Sequence, residues 1–94
     1  MLNEYRENAM SDLKAQFEAA VAESKTLSER PDSATLLKLY SLFKQTSEGD
    51  CEGKRPGFTD PVGRAKYDAW AAVKGTTQDE ASNQYIALVK SLKG

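Results

Sequence analysis

The sequence of 94 residues contains no histidine and a single cysteine, Cys51. The missing histidine removes the commonest general base and excludes Ser–His and Cys–His nucleophile pairs. One cysteine cannot form a disulfide within the chain, and a four-ligand structural zinc site is not expected without histidine. These absences argue against catalysis and indicate a protein of a reducing compartment, with Cys51 as an ordinary surface residue.

A surplus of positive charge and a long apolar run are also missing. The chain has 13 basic and 14 acidic residues, whereas nucleic-acid binders usually carry a basic surplus or stripe. No apolar run reaches the length of a membrane span, and the first ten residues lack the apolar segment of a signal peptide. We therefore expect a soluble, cytoplasmic protein with no nucleic-acid partner and no stable membrane insertion. An anionic ligand would be met by a few local cations.

Strand signals are scarce, because β-branched residues are few and scattered. Helical spacing and turn residues predict four helices, over about residues 11–27, 33–47, 61–74 and 78–92. Asp32, Asp60 and Thr77 suit the N-cap positions of the last three helices, and Pro61 suits the first turn that follows Asp60. The sequence therefore predicts an all-α four-helix bundle.

Two segments lie outside this helical pattern. Met10-Ser11 reads as a second start followed at once by a good helix. We therefore expect residues 1–9 to be a cloning remnant or a variable N-terminal extension, and residues 10–94 to form the domain. An extension of the first helix that includes Leu2 and Tyr5 and covers apolar surface stays open. Residues 48–60 contain three glycines and one proline, and a loop of this length in a compact domain is often functional.

The second predicted helix has more apolar residues than one buried stripe requires. These residues are Leu36, Leu37, Leu39, Tyr40, Leu42 and Phe43. Tyr40 and Lys44 share a face at i and i+4, as do Lys66 and Trp70 on the third helix. Lysines beside aromatic rings suit a ligand that is both anionic and planar. The alternative is that Tyr40 and Trp70 are core residues and the lysines are solvated, and spacing alone leaves both interpretations open.

Catalytic and metal patterns are weak. Asp79 and Glu80 lie in the first turn of a helix, where the helix dipole accounts for them. Asp50, Glu52 and Asp60 do not have the spacing of an EF-hand. No glycine-rich loop of the P-loop or dinucleotide type is present. Binding is therefore favoured over catalysis.

Two blocks of the sequence match a known family. "LYSLFKQTSEGD" resembles a signature of a tyrosine, an aromatic-Lys-Gln segment and Gly-Asp, and "RPGFTDPVGRAKYDAWAAVKG" resembles a second block with Arg-Pro-Gly, Asp-Ala-Trp and Lys-Gly. Together with "AVAESKTL" and "EASNQYIALVKSL" they resemble the acyl-CoA-binding protein family, without a gap from about Asp12 to Leu92. The resemblance implies an up-down-down-up four-helix bundle. It also implies non-enzymatic binding, buffering and transport of medium- to long-chain acyl-CoA esters, with no cofactor.

The resemblance also implies which residues contact the ligand. Tyr40, Lys44 and Lys66 match the residues at the CoA 3′-phosphate. Two departures from the family pattern lie nearby, because Phe43 replaces a frequent tyrosine and Tyr67 replaces a common tryptophan.

The remaining matched residues concern the rest of the ligand. Leu36 and Leu37 match the apolar pair that lines the acyl-chain groove. Tyr85 matches a tyrosine that lines the binding bowl, and Lys25 matches a basic position that approaches the CoA moiety. Ser24 falls where many family members carry an apolar residue, which predicts a weaker contact between the first and last helices.

The competing interpretation is a helical protein-interaction module whose apolar second helix accepts a partner helix. It predicts stoichiometric capture of a peptide or protein, with no response to CoA esters. A thioesterase or another CoA enzyme lacks a nucleophile and base pair. No heptad seam is evident, so we expect a monomer.

Overall fold

The computed structural model describes the backbone of residues 2–94 and the side chains of residues 12–94. It contains four helices: α1 (Leu2–Ser24), α2 (Ser33–Glu48), α3 (Pro61–Ala71) and α4 (Gln78–Lys93). Residues 2–94 include no strand. The predicted all-α four-helix architecture is confirmed.

The caps predicted from sequence explain where three of the helices begin. Asp32, Asp60 and Thr77 each accept a hydrogen bond from the backbone N–H three residues later, at 2.8, 3.0 and 3.1 Å. Each bond satisfies an N–H group that the first helical turn leaves unpaired. At the other end of α2, Gly49 adopts φ +83° and donates its N–H to the carbonyl of Gln45 at 3.0 Å. Glycine adopts this left-handed conformation without a steric cost.

The start of α1 lies earlier than the start predicted near Ser11 and matches the extension that the sequence left open. The helix begins at Leu2 rather than near Ser11, because residues 2–10 contain no glycine or proline that would interrupt it. The prediction that residues 1–9 are separate from the domain falls on Met1 and on side chains outside the described residues, and it stays a prediction.

Two helices end earlier than predicted, because tighter turns replace their last helical bonds. After α1, Lys25 and Thr26 donate to carbonyls three residues back, at 3.2 and 3.0 Å. After α3, Val73 and Lys74 do the same at 3.1 and 3.2 Å. Such i→i+3 turns are common where a helix terminates.

The apolar core lies between α1, α2 and α4. Its buried members are Phe17, Ala20, Leu39, Leu42, Ala81, Tyr85, Ile86 and Val89. The Phe17 ring meets the Tyr85 ring edge-on, with centroids 5.1 Å apart. Further along both helices Glu23 and Lys93 form an ion pair at 3.0 Å. The two contacts advance together along the chain, so α1 and α4 run in the same direction.

Helix α3 packs against α2 and has no buried residue of its own within its eleven residues. It is held instead by the segment that follows α2, which runs along it. The contacts are Trp70 Nε1 to the Gly49 carbonyl (2.8 Å), the Tyr67 hydroxyl to the Gly53 carbonyl (2.9 Å), and a bidentate pair between Arg55 and Asp68 (2.7 and 2.8 Å). This segment therefore fixes the position of α3. The hydroxyl of Tyr67 has a structural partner.

A second junction fastens the α3–α4 connection to α2. The Asp50 carboxylate accepts hydrogen bonds from the Gly75 N–H and from the Gln45 amide, both at 2.8 Å. The same amide nitrogen donates to the Thr76 carbonyl at 2.8 Å. The two hydrogen bonds to Asp50 lower the pKa of its carboxyl below the ordinary value, and the bond from Gly75 has the larger effect. Gln45 is 1% exposed whereas Asp50 and Gly75 are exposed, so this junction connects the packed interior to the surface.

Candidate functional site

Two lysine–aromatic pairs bridge α2 and α3. The Lys66 ammonium lies over the Tyr40 ring, 5.4 Å from its centroid, and the Lys44 ammonium lies over the Trp70 ring at 4.8 Å. Both distances are typical of cation–π contacts. Lys44 follows Tyr40 by four residues and Trp70 follows Lys66 by four, so the helices run in the same direction. The lysines and aromatic rings that spacing pairs along each helix thus contact one another across the two helices.

The two ammonium groups lie one helical turn apart along the α2–α3 interface. Lys66 is exposed, while the Lys44 side chain is 22% exposed. The Tyr40 ring is half-buried beneath Lys66. Two cations and a phenol at one interface have the chemistry that an oxyanion requires, because lysine and tyrosine both donate hydrogen bonds to phosphate or carboxylate oxygens.

Lys44 already has an anionic neighbour. Its ammonium pairs with the Glu48 carboxylate one turn further along α2. This hydrogen bond, opposed in part by desolvation, raises the pKa of Lys44 above its ordinary value. Lys44 is therefore cationic at neutral pH, and an anionic ligand at this position would have to compete with Glu48 for it. The i, i+4 spacing of the two residues could have indicated this pair from the sequence.

The opposite end of the α2–α3 interface is apolar. Leu36 lies one turn before Tyr40, and both Leu36 and Leu37 are half-buried. Val62 lies one turn before Lys66 on α3. The register fixed by the two lysine–aromatic pairs therefore places Val62 level with Leu36. The interface is cationic toward the ends of the two helices and apolar toward their beginnings.

The structure does not bring Tyr85 and Lys25 into this cluster. Tyr85 is 4% exposed, lies against Phe17, and donates its hydroxyl to Ser24 Oγ at 3.1 Å. Ser24 Oγ in turn donates to the Val21 carbonyl at 2.6 Å. A polar pair thus joins α1 and α4 at the position where the sequence predicted a weaker contact. Lys25 is exposed just after α1. The ligand contacts predicted for these two residues stay predictions.

A cavity of about 540 Å³ opens between α1, the second half of α2 and the start of α4. It is lined by Leu13, Lys14, Phe17, Glu18, Val21, Phe43, Thr46, Ser47, Gln78, Asp79 and Ser82. None of the residues predicted to contact a ligand lines it. Phe43 is 39% exposed and stacks on Phe17, with ring centroids 6.0 Å apart. It immediately precedes Lys44 in the sequence. The surplus apolar surface of α2 was the only sequence signal for this cavity.

Other kinds of site find no support in the described residues. Within them, no three histidine, cysteine, aspartate or glutamate residues come together as metal ligands. Among residues 2–94, no helix combines the length and the apolar character that crossing a membrane requires.

Comparison with known proteins gives consistent matches over most of the chain. The family model described as acyl CoA binding protein matches residues 14–89. An acyl-CoA-binding protein homolog of Drosophila melanogaster is 43% identical over 77 residues, which are 82% of this chain and 90% of that protein. The Acyl-CoA-binding domain-containing protein 5 of Mus musculus is 41% identical over 83 residues, and the chain spans only 16% of its length.

Solved structures agree with these sequence matches. The crystal structure of Oryza sativa acyl-CoA-binding protein 2 superposes with a TM-score of 0.86 at 37% identity, covering 89% of this chain and 91% of that one. The crystal structure of ACBP from Moniliophthora perniciosa superposes with a TM-score of 0.79 at 35% identity, covering 84% of this chain and 78% of that one. The chain therefore belongs to the acyl-CoA-binding protein family.

Proposed function

We propose that this protein binds medium- to long-chain acyl-CoA esters without transforming them, and that it buffers and transports them as a cytoplasmic monomer. The observation that carries the proposal is the pair of lysines held over Tyr40 and Trp70 across the α2–α3 interface. An interface that is cationic at one end and apolar at the other suits a ligand with a phosphate at one end and an alkyl chain at the other.

The 3′-phosphate of CoA is the group assigned to Tyr40, Lys44 and Lys66. A terminal phosphate carries nearly two negative charges at neutral pH. Two ammonium groups and a phenol hydroxyl can satisfy it by charge-assisted hydrogen bonds, which are shorter and stronger than neutral ones. Local donors of this kind allow a chain of net charge −1 to bind an anion.

The adenine is assigned to the cavity beside Phe43. In CoA the 3′-phosphate and the adenine are attached to the same ribose, so a phosphate at Lys44 holds the base within a few ångströms of the neighbouring residue. Phe43 and Phe17 offer aromatic surface there. Aromatic rings stack on bases with little dependence on base identity.

The acyl chain is assigned to the apolar end of the interface, along Leu36 and Leu37. Burial contributes about 0.8 kcal/mol per methylene, so ten shielded methylenes contribute about 8 kcal/mol before the ordering costs of binding. The acyl chain thus supplies most of the binding affinity, while the 3′-phosphate fixes the orientation of the ligand.

A binding role fits the chemistry of this sequence better than turnover does. The chain has no histidine, and its one cysteine, Cys51, is half-buried. A thioester held away from a nucleophile and base pair is protected rather than cleaved. The test is to incubate the protein with acyl-CoA and a thiol reagent. We expect no release of free thiol, whereas steady release would indicate an enzyme.

Calorimetry with three ligands tests the proposal. We expect a long-chain acyl-CoA to bind far more tightly than free CoA, which lacks the alkyl chain, and free fatty acid to bind poorly, since it lacks the phosphate. Equal affinity for fatty acid and acyl-CoA would contradict the proposal. Stoichiometric binding of an amphipathic peptide, with no heat from CoA esters, would favour a protein-interaction module instead.

A further inference from the structure

The walls of the cavity beside Phe43 differ in chemistry. Phe17 and Phe43 stack with ring centroids 6.0 Å apart and supply aromatic surface from α1 and α2. The beginning of α4 supplies polar side chains to the same cavity of about 540 Å³, among them Asp79 and Ser82. A planar group that stacks on the aromatic surface therefore has polar side chains within the same cavity for its edge.

Asp79 and Ser82 line the cavity from one face of α4. They are three residues apart, which places them on the same side of a helix. Ser82 is 6% exposed and belongs to the packed wall, whereas Asp79 is exposed at the mouth of the cavity. Within residues 12–94, neither side chain forms a hydrogen bond or an ion pair with another residue. A buried hydroxyl without a partner gains a bond when a ligand offers one.

A hydrogen bond between α4 and α2 holds this polar wall in place. The Gln78 amide donates to the Thr46 carbonyl at 2.9 Å and so joins the first residue of α4 to the last turn of α2. Both residues also line the cavity. Since Thr46 follows Phe43 by three residues on α2, the bond fixes the polar wall relative to the aromatic surface. A ligand therefore meets a pre-arranged set of groups, which lowers the ordering cost of binding.

We propose that Asp79 and Ser82 hydrogen-bond to the edge of the adenine and make the site selective for this base. The inference rests on the proposed binding of acyl-CoA, with its adenine in this cavity. Stacking alone supplies little selectivity, because aromatic rings stack on every base. Adenine carries an amino group that donates beside ring nitrogens that accept. A carboxylate only accepts, while a hydroxyl can donate, so Asp79 binds the amino group and Ser82 binds a ring nitrogen.

Hypoxanthine in place of adenine inverts this pattern without changing the size of the ring system. Its position 6 carries an oxygen that accepts, and that oxygen would face the Asp79 carboxylate with no proton between them. The phosphate and the acyl chain of the ester are unchanged, so the substitution isolates the base. We expect the hypoxanthine ester to bind about five- to thirtyfold more weakly than the adenine ester, the usual range for a mismatched base edge.

Calorimetry with the two esters tests the proposal, and the unmodified protein alone already decides whether the base is selected. In Asp79→Asn the amide keeps the shape of the side chain and can donate as well as accept. We expect the ratio of the two dissociation constants to fall to about twofold or less. Glu80→Gln removes the same charge from the next residue, which does not line the cavity, and should keep the ratio of the unmodified protein.

Ser82→Ala removes only the hydroxyl from the buried position. It should weaken binding of the adenine ester by about fivefold, since one hydrogen bond is lost, and leave the hypoxanthine ester nearly unaffected. Thermal melting of each variant, compared with the unmodified protein, shows that the fold is kept before the affinities are compared.

The outcomes separate this inference from the proposed function. If neither ester binds to the unmodified protein, the proposed function is wrong. If both esters bind equally tightly, the proposed function stands and base selection by Asp79 and Ser82 is overturned. A ratio that is unchanged in Asp79→Asn, or that falls equally in Glu80→Gln, would also overturn it, because the carboxylate in the cavity would then have no specific part in recognising the base.

Discussion

The Lys66 ammonium lies 5.4 Å from the centre of the Tyr40 ring, on the neighbouring helix. The ring attracts the cation and limits where the long lysine side chain can go. Because the phenol hydroxyl belongs to the same ring, a cation and a neutral donor lie together at one place on the α2–α3 interface. This pre-arrangement reduces the side-chain ordering that binding an oxyanion would otherwise require.

Replacing Lys66 by alanine should weaken acyl-CoA binding by about 10- to 100-fold, since hydrogen bonds to charged groups contribute about 1.5–3 kcal/mol. The bundle should stay folded, because the Lys66 side chain is exposed. Calorimetry measures the loss, and Lys90→Ala, an exposed lysine on α4, is the matched control. An acyl-CoA that lacks the 3′-phosphate should bind the Lys66 variant and the unmodified protein equally. A loss with that ligand too would place Lys66 elsewhere on the CoA.

Tyr40→Phe removes one hydroxyl and keeps the ring beneath Lys66. We expect acyl-CoA affinity to fall by about tenfold or more, because the hydroxyl would donate to a charged phosphate. The thermal midpoint should change little, which calorimetric scanning would check. If affinity is the same as in the unmodified protein, the hydroxyl is not a ligand contact and Tyr40 acts only as a support for Lys66.

The sequence predicted those parts of the fold that depend on neighbouring residues. The caps at Asp32, Asp60 and Thr77 need only a side chain and an N–H three residues later, and all three form. The start of α1 was placed near Ser11 with an extension through Tyr5 and Leu2 left open, since Met10-Ser11 is a plausible start but not a helix breaker. Local pattern fixes an end of a helix only where a cap or a breaker is present.

The site was predictable only in part, for a geometric reason. Helical spacing showed that Tyr40 and Lys44 share a face, as do Lys66 and Trp70. The family resemblance then assigned Tyr40, Lys44 and Lys66 to one phosphate. That Lys66 lies over Tyr40 depends on the register between two helices, which no periodicity within one helix encodes. The cavity beside Phe43 needs surface from three helices at once. In the sequence this cavity was indicated only by the surplus of apolar residues on α2. Of those residues, only Leu39 and Leu42 are buried.

Glu48→Gln should increase acyl-CoA affinity by roughly two- to fivefold at low ionic strength, because it releases Lys44 from an ion pair of a kind that contributes about 0.2–1 kcal/mol. The change also removes a negative charge beside the phosphate. The gain should shrink as salt is added, since exposed charges are screened. Glu52→Gln, also exposed, removes the same charge from the nearby loop and serves as the control. No gain at any ionic strength would mean that Lys44 does not contact the ligand.

Tyr85→Phe should lower the free energy of unfolding by about 1 kcal/mol, the usual contribution of one hydrogen bond. The lost bond is the one from the buried Tyr85 hydroxyl to Ser24 Oγ, at 3.1 Å. Urea denaturation measures this change. Calorimetry on the same variant tests the ligand role that the family resemblance assigns to Tyr85: weaker binding would support it, whereas a loss of stability with unchanged affinity would limit Tyr85 to joining α1 and α4.

Asp50→Asn should destabilise the protein at pH 7, and the difference from the unmodified protein should close in acid. Bonds from the Gly75 N–H and the Gln45 amide hold the pKa of the Asp50 carboxyl below its ordinary value of 3.8. A pKa that is lower in the folded state means that the unfolded chain binds more protons around that pH. The stability contributed by the carboxylate is therefore complete above pH 3.8 and is lost as the pH falls through the lower, folded-state pKa.

Asparagine keeps an oxygen acceptor for the Gly75 N–H, so the Asp50→Asn variant isolates the charge rather than the whole junction. Urea denaturation at pH 7 and at several values below pH 4 gives the two stability curves. Asp12→Asn, which removes an exposed carboxylate from α1, is the control for the general effect of one charge. The Asp32 and Asp68 carboxyls, whose pKa values are also lowered by hydrogen bonds, weaken the protein in acid in all three chains and cancel in the difference. If the gap between Asp50→Asn and the unmodified protein stays constant from pH 7 into acid, the charge of Asp50 does not stabilise the junction, and only its hydrogen-bond geometry does.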